Sequence, residues 1–386
     1  MSSFMKIGFL ITYFYPQTGG AESNCYFLAR ELAKNNEVHV FCSGEEDKDE
    51  IINGIHVHRS KELLRIKYYF ALYPSLNQSI NRFKLDILHV HGLGFIQHDI
   101  TIKNLKSKNP NLKVVCTPHG PFMALNKYNL LGSLFKTIYT PFIINSLRNY
   151  DKIIEVNPMQ HIWMSKEYGI PKSKISFVPN GIPQESFKKL NSSVINNTRK
   201  KYGLENKFII SYVGRIQKYK GLDQIVKILP EIAKICPEVT FLAIGRDAED
   251  TLRLKDLAKS LEVKDNVIFT GEVTESEKLA LLDISEIFIF PSEWEAFGIV
   301  LLEAMARSNA LISSRTEGGR YLVQEGKNGF LFNYGDNKEL SRKLKILINN
   351  KNLRFKMQKL NNKLSRDYIW EDIAKKLEKE YRSILR

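Results

Sequence analysis

Cysteine is scarce: four in 386 residues (Cys25, Cys42, Cys116 and Cys236), with no CxxC pair. That excludes a disulfide-stapled scaffold and a sulfur-rich zinc module, and fits a reducing, cytoplasmic compartment. Long apolar runs are missing as well. With no stretch of about 18 uninterrupted apolar residues, no transmembrane helix is expected. The run from Met1 to Thr12 carries a single lysine, soon meets Tyr13, Tyr15 and Pro16, and has no small-residue cleavage site. It reads as a buried first strand rather than a signal peptide. No G-x-G-x-x-G is complete; His91-Gly-Leu-Gly94 begins like one but lacks the third glycine, which argues against a usual nicotinamide or flavin enzyme. There is no G-x-x-x-x-G-K-[ST] and no H-E-x-x-H, so neither an ATPase phosphate loop nor that zinc site is expected. No short-period repeat exists, which excludes a solenoid.

What is present is ordinary globular composition, 43% hydrophobic and 26% charged, in a length that suits two or three domains. The formal net charge of +15 is unevenly placed: residues 59–150 hold thirteen basic side chains against three acidic ones. A nucleic acid, an anionic membrane surface, a phosphorylated substrate or plain lysine decoration would each fit such an excess. No zinc-finger or RNP-type motif supports nucleic acid.

Apolar runs alternate with amphipathic segments. Strands are expected at 5–12, 37–42, 86–91, 113–117 and 152–157, with helices at 21–35, 72–84 and 131–148. The pattern restarts after Pro183, with strands at 208–213, 239–244, 266–270, 286–290, 310–314 and 329–332. Helices at 222–235, 251–261, 275–284, 298–307 and 336–349 separate them, and a last helix spans 370–385. Such alternation implies parallel sheets covered on both faces, here two doubly wound Rossmann-like domains. The expected borders are 1–185 and 186–368, with 369–386 returning to the first domain. The polar stretch Lys188–Lys201 reads as the linker.

Ligands of open parallel sheets bind beyond the strands' carboxyl ends, so the loops there carry the candidates. Gly19 and Gly20 sit at the first strand-to-helix turn, where backbone can approach a phosphate. All eight histidines precede residue 162; among them His91 and His119 follow strands and are placed to face a ligand. In the second half, Gly214 lets Arg215 and Lys220 project near the sheet edge, two cations that suit a diphosphate. Glu295 and Glu303 are separated by seven residues after the strand ending at Phe290, and Gly298 opens a helix between them. Glu303 lies in an apolar run, so it needs either a hydrogen-bonding ligand or a partner such as Arg307 at i+4.

In order along the chain, Gly19-Gly20, Thr117-Pro-His-Gly120, Val178-Pro-Asn-Gly-Ile182, Gly214-Arg215 with Lys220-Gly221, Gly271-Glu-Val273 and Glu295-x7-Glu303 resemble the retaining glycosyltransferases of family 4. The helix opened by Trp370-Glu371 is similar to that family's closing helix. The resemblance implies the GT-B fold, two domains facing a cleft, and transfer of a hexose from a nucleotide-diphosphate sugar with retention. It implies that Glu303 holds the ribose and Glu295 the sugar hydroxyls, while Arg215 and Lys220 bind the diphosphate. Phe297 and Gly298 would touch the donor through backbone. Gly245, Arg246, Glu272 and Val273 would border the nucleobase. Gly19 and Gly20 would approach the diphosphate, and His119 would sit by the reacting sugar. No metal and no cofactor are implied; Asp47-Lys48-Asp49 reads as a solvated turn.

One departure is the turn Thr316-Glu-Gly-Gly-Arg320, which lacks the Pro-Glu that family members often carry there, and this bears on donor-sugar choice. The acceptor reads as a saccharide or a polyprenyl or other lipid-linked group at an anionic membrane. That reading draws on the basic stretch and on Phe122, Met123, Leu130, Leu131, Leu134, Phe135, Ile138 and Tyr139 beside Lys127 and Lys136. The alternatives are a core-facing helix with wet lysines, a soluble acceptor, and an epimerase or nucleotide-sugar-binding protein on the same architecture.

Overall fold

A strand covered by helices on both sides must be apolar on both, and most of the expected runs meet that condition as parallel strands. The computed structural model describes residues 4–17, 19–66, 70–120 and 130–386. It divides into two compact units, Met1–Gly181 with Trp370–Arg386, and Ile182–Ile369.

The first unit's sheet runs in the order Ile175–Phe177, Lys152–Glu155, Lys113–Thr117, Ile87–His91, Lys6–Leu10, Glu37–Gly44, Ile55–Lys61, Lys48–Ile52. Only the last strand is antiparallel. The chain enters at Lys6–Leu10, builds outward on one side, then returns to Ile87–His91 on the other, so the order reverses between these two neighbours. Trp370, Ile373, Leu377 and Tyr381 recur at helical spacing on Trp370–Leu385 and are buried against Phe9, Leu28 and their neighbours. Trp370 stacks on Phe27 with centroids 5.6 Å apart.

The second unit has six parallel strands: Val267–Gly271, Val239–Ile244, Phe208–Val213, Ile287–Phe290, Ala310–Ser314, Gly329–Phe332. Here the order reverses between Phe208–Val213 and Ile287–Phe290.

Several expectations need correction. Lys188–Lys201 is not all linker: Asn191 caps a helix, Ser192–Lys201, whose Lys201 pairs with Glu277 on the helix Glu275–Asp283. The helix expected at 72–84 shrinks to Leu76–Asn81, because Pro74 biases Tyr73 away from helical backbone and Phe70–Leu72 pairs with Leu64–Ile66. Asp47 and Asp49 do not make a plain solvated turn. Asp47 accepts from Lys61 N and Ser75 Oγ, and Asp49 from His58 and Arg82.

His98, on the helix Ile96–Lys108, is buried beside Phe95 and Tyr73, and neither ring nitrogen has a partner among the described residues. Burial, helped by the Arg65 charge, pushes its pKa down to about 3. The folded value lies below the unfolded one, about 6.5, so the unfolded chain gains protons first as pH falls. The stability linked to neutral His98 is full above pH ~6.5 and is lost on the way down to about 3. His98→Phe should flatten the fall of the melting temperature on acidification and melt no lower than wild type at pH 7.5. An unchanged acid slope with a lower melt at neutral pH would contradict this.

Candidate functional site

In the second unit two candidate side chains, Lys220 and Glu295, meet where the strand order reverses, the place in an open parallel sheet where loops part and leave room. Phe208–Val213 ends at Gly214; the short turn Lys218–Lys220 follows, and Gly221 caps the helix Leu222–Ala233. From the neighbouring strand Ile287–Phe290 the chain passes through Glu295 to Gly298, which caps the helix Ile299–Ala306. Lys220 Nζ donates to Glu295 Oε2 at 2.7 Å, and the lysine side chain is only 12% exposed. Burial alone would lower the Lys220 pKa. The Glu295 carboxylate, with Tyr212 and Tyr219, outweighs it and leaves the ammonium above the usual lysine range. Arg215 is exposed, and its guanidinium has no ion-pair partner among the described residues.

Glu303 projects from the Ile299–Ala306 helix and accepts from Lys278 Nζ at 2.8 Å. Arg307, its expected partner at i+4, is instead held by Asp283 and by the carbonyls of Ser186 and Lys188. Burial would lower the Lys278 pKa, but Glu303 and then Glu275 raise it above the usual range. Lys278 is the residue that sequence reasoning missed; its position four residues after the Thr274 cap was the available signal.

Close backbone contact requires glycine at several positions, among them Gly245 and Gly318. A Cβ on Gly245 would lie 2.2 Å from Gly214 O, so the loops carrying Arg215 and Arg246 run side by side, tied by Ile216 N to Arg246 O at 3.0 Å. A Cβ on Gly318 would lie 2.1 Å from Phe297 O. The departing turn Thr316–Arg320 thus seats directly against the Glu295–Gly298 loop, with Gly318 N donating to Glu295 O. The Phe297 side chain is buried against Tyr321 and Tyr368, leaving backbone as its outward feature. Arg246 and Glu272 are exposed at the ends of their strands, and Val273 is half-buried.

In the first unit, His119 follows Lys113–Thr117 and adopts a left-handed φ of 51°. Its Nε2 meets His91 Nδ1 at 2.9 Å, and the two rings stack. Burial pushes the His119 pKa down to about 3. Gly19 caps the helix Gly20–Leu32, but its φ of −166° is extended backbone, open to any residue. Room rather than conformation sets Gly19: a Cβ there would meet the Glu22 carboxylate at 2.3 Å, so that acid already lies over the helix start. Nothing lies within 4 Å of a Cβ built on Gly20. Among the described residues no group of three metal-ligating side chains converges, and no helix is long and apolar enough to cross a membrane.

Phe122, Met123 and Lys127, and the side chains of Leu130, Leu131 and Phe135, lie outside the described residues. The rest of the helix Leu130–Ser146 inverts the expected amphipathic plan. Lys136 is buried and pairs with Glu167, whereas Leu134 (59%), Ile138 (61%) and Phe142 (66%) are exposed at i, i+4, i+8. Tyr139, Ile143 and Leu147 form the inner side.

Comparison with known proteins adds the following. A family described as "Glycosyl transferases group 1" matches residues 194–364, and one described as "Glycosyltransferase Family 4" matches residues 18–186. The N-acetyl-alpha-D-glucosaminyl L-malate synthase of Bacillus anthracis is 27% identical over 398 residues, 99% of this chain and 98% of that protein. The phosphatidylinositol N-acetylglucosaminyltransferase GPI3 subunit of Saccharomyces cerevisiae is 25% identical over 396 residues, covering 98% and 83%. Anabaena HepE, solved in complex with UDP-glucose, shares the fold with a TM-score of 0.79 at 19% identity, over 98% of this chain and all of that one.

The Lys220–Glu295 pair yields a double-mutant test. Glu295→Gln leaves a buried ammonium without its counter-charge and should destabilise the second unit by about 1–3 kcal/mol. Lys220→Met added to that variant should recover part of the loss, read by urea unfolding. Additive losses would mean the two side chains do not interact.

Proposed function

The chain belongs to the group 1 glycosyltransferases of family 4, with the two doubly wound domains of the GT-B fold, and we propose that it moves a hexose from a nucleotide-diphosphate sugar to a saccharide or lipid-linked acceptor, with retention and without a metal. The observation that carries this is the Lys220–Glu295 pair at the reversal point of the second sheet, with the exposed Arg215 on the loop that leads to Lys220. Arg215 offers a planar fork to phosphoryl oxygens. Lys220 stays cationic, and an arriving phosphate would share its ammonium with Glu295. Two cations stabilise the charge that develops on the leaving diphosphate, the task a divalent ion performs elsewhere.

Glu295 then turns its carboxylate to the sugar hydroxyls. Glu303, steadied by Lys278, accepts from the ribose. Backbone at Phe297 and Gly298 meets the donor, Gly245, Arg246, Glu272 and Val273 flank the base, and Gly19 and Gly20 approach the diphosphate. His119, neutral at ordinary pH, hydrogen-bonds the reacting sugar. Retention fits a front-face route in which the leaving diphosphate accepts the acceptor's proton.

Thermal shift and donor hydrolysis against UDP-, GDP- and ADP-sugars, with EDTA present, test this reading. One donor should stabilise the protein and be slowly hydrolysed without metal. Hydrolysis that stops in EDTA and returns with a divalent cation would refute the metal-free mechanism. Stabilisation without turnover, even with lipid extract added, would favour a binding protein.

The outer face of Leu130–Ser146 favours a lipid-linked acceptor over a soluble one such as the Bacillus relative's name describes. Leu134, Ile138 and Phe142 face out together with Ile162 of the adjoining helix Gln160–Tyr168, where Lys166 is an exposed cation, and Arg148, exposed in the turn just after Leu130–Ser146, adds a second. This is the surface an anionic bilayer interface would cover, at the cytoplasmic side of a membrane. The protein should co-sediment with phosphatidylglycerol vesicles and not with phosphatidylcholine ones, less so in high salt. Leu134→Ser with Phe142→Ser should weaken that binding at least about tenfold, while donor-induced stabilisation is unchanged. Equal binding by the double variant would remove this face from the reading.

A further inference from the structure

The first unit holds a column of aromatic rings that the function above uses only at its end. His89 and His91 lie two apart on one strand, so they share a face of the sheet, and Thr117 pairs with His91 on the next strand. Phe9 stacks on His89, His89 on His91 with centroids 4.7 Å apart, and His91 on His119 with centroids 5.1 Å apart. His89 is engaged at both nitrogens, by Tyr381 Oη at 2.5 Å and Thr117 Oγ1 at 2.8 Å. His91 is engaged at one. Its Nδ1 meets His119 Nε2 at 2.9 Å, whereas its Nε2 is buried with no partner among the described residues.

Counting hydrogens decides what this contact does. Burial holds both rings neutral, so each carries a single N–H. An N···N distance of 2.9 Å calls for one hydrogen between the two rings. If His119 donates from Nε2, the His91 hydrogen falls on its buried Nε2, a donor with nothing to accept it. If His91 donates from Nδ1, the leftover atom is a bare acceptor, and the His119 hydrogen sits on its own Nδ1. Buried orphan donors are the rarer of the two in folded proteins.

We propose that His91 is the positioning residue of His119: by donating from Nδ1 to His119 Nε2 it fixes both the ring and its tautomer, so that His119 presents Nδ1–H to the substrate as a donor. This rests on the role given to His119 above. His119 also adopts left-handed backbone, a conformation that persists where the surrounding structure holds it.

The tautomer is read on the resting protein, with no substrate, from the 15N spectrum of histidine-labelled chain, the His119 signals being assigned by their loss in His119→Asn. Wild-type His119 should be protonated at Nδ1. His91→Phe keeps the stacking ring and removes both nitrogens. It should give a mixed His119 tautomer and a fall in donor hydrolysis of at least about tenfold at unchanged donor KM. His91→Asn, whose amide can donate from nearly the same place, should recover most of both. Wild-type His119 protonated at Nε2 would overturn the proposal, as would full activity in His91→Phe when His119→Ala is impaired. Normal turnover in His119→Ala, with the Nδ1–H tautomer observed in wild type, would instead refute the role given to His119 and leave the hydrogen bond standing.

Discussion

An ammonium group taken out of water is held in place by one carboxylate, and the second unit's loops are arranged around that contact. Lys220 lies over the rings of Tyr219 and Phe290 as well as against Glu295. Desolvation works against its charge; Glu295 restores it. Because the two residues follow neighbouring strands, the pair fixes how those strands' loops meet. Glu293 N bonds to Tyr219 O, and Gly221 lies so close to Pro291 O that a Cβ would come within 2.3 Å. The loop that leads to Gly298, and so the placing of the helix that carries Glu303, follows from this seam.

Around the candidate site residues, the two units treat buried polar groups in opposite ways. The second keeps charges and pairs them: Lys220 with Glu295, Lys278 with Glu303, Arg307 with Asp283. The first removes charge from its rings. Burial lowers the pKa of His89, His91 and His119, so their column is one of neutral hydrogen-bonding groups that stack.

Strands buried on both faces were the most legible features: 208–213, 239–244, 310–314 and 329–332 are found at the expected positions. Some other elements were not. The hairpin Lys48–Ile52 with Ile55–Lys61 was overlooked although Asn53-Gly54, both at positive φ, is a strong hairpin signal. The helix Lys351–Ser365 has few apolar residues and is anchored by Asn361, whose amide donates to the carbonyls of Asn309 and Asn328, a tertiary contact that no local pattern encodes. In the site, the residues that follow strands could be named from sequence, but their partners could not. Glu303 was matched to Arg307 by helical spacing, and Lys278, 25 residues away, holds it. His91 and His119 were each singled out, 28 residues apart, and only the pairing of their strands reveals that they touch.

The return of the last helix has a consequence for how the molecule is made. Trp370, Ile373, Leu377 and Tyr381 belong to the core of the first unit, and the Tyr381 hydroxyl reaches a histidine 292 residues earlier. During synthesis the first half therefore emerges with an apolar face that nothing yet covers, while Ile182–Ile369 is complete before the final helix leaves the ribosome. The unit translated first is the one finished last.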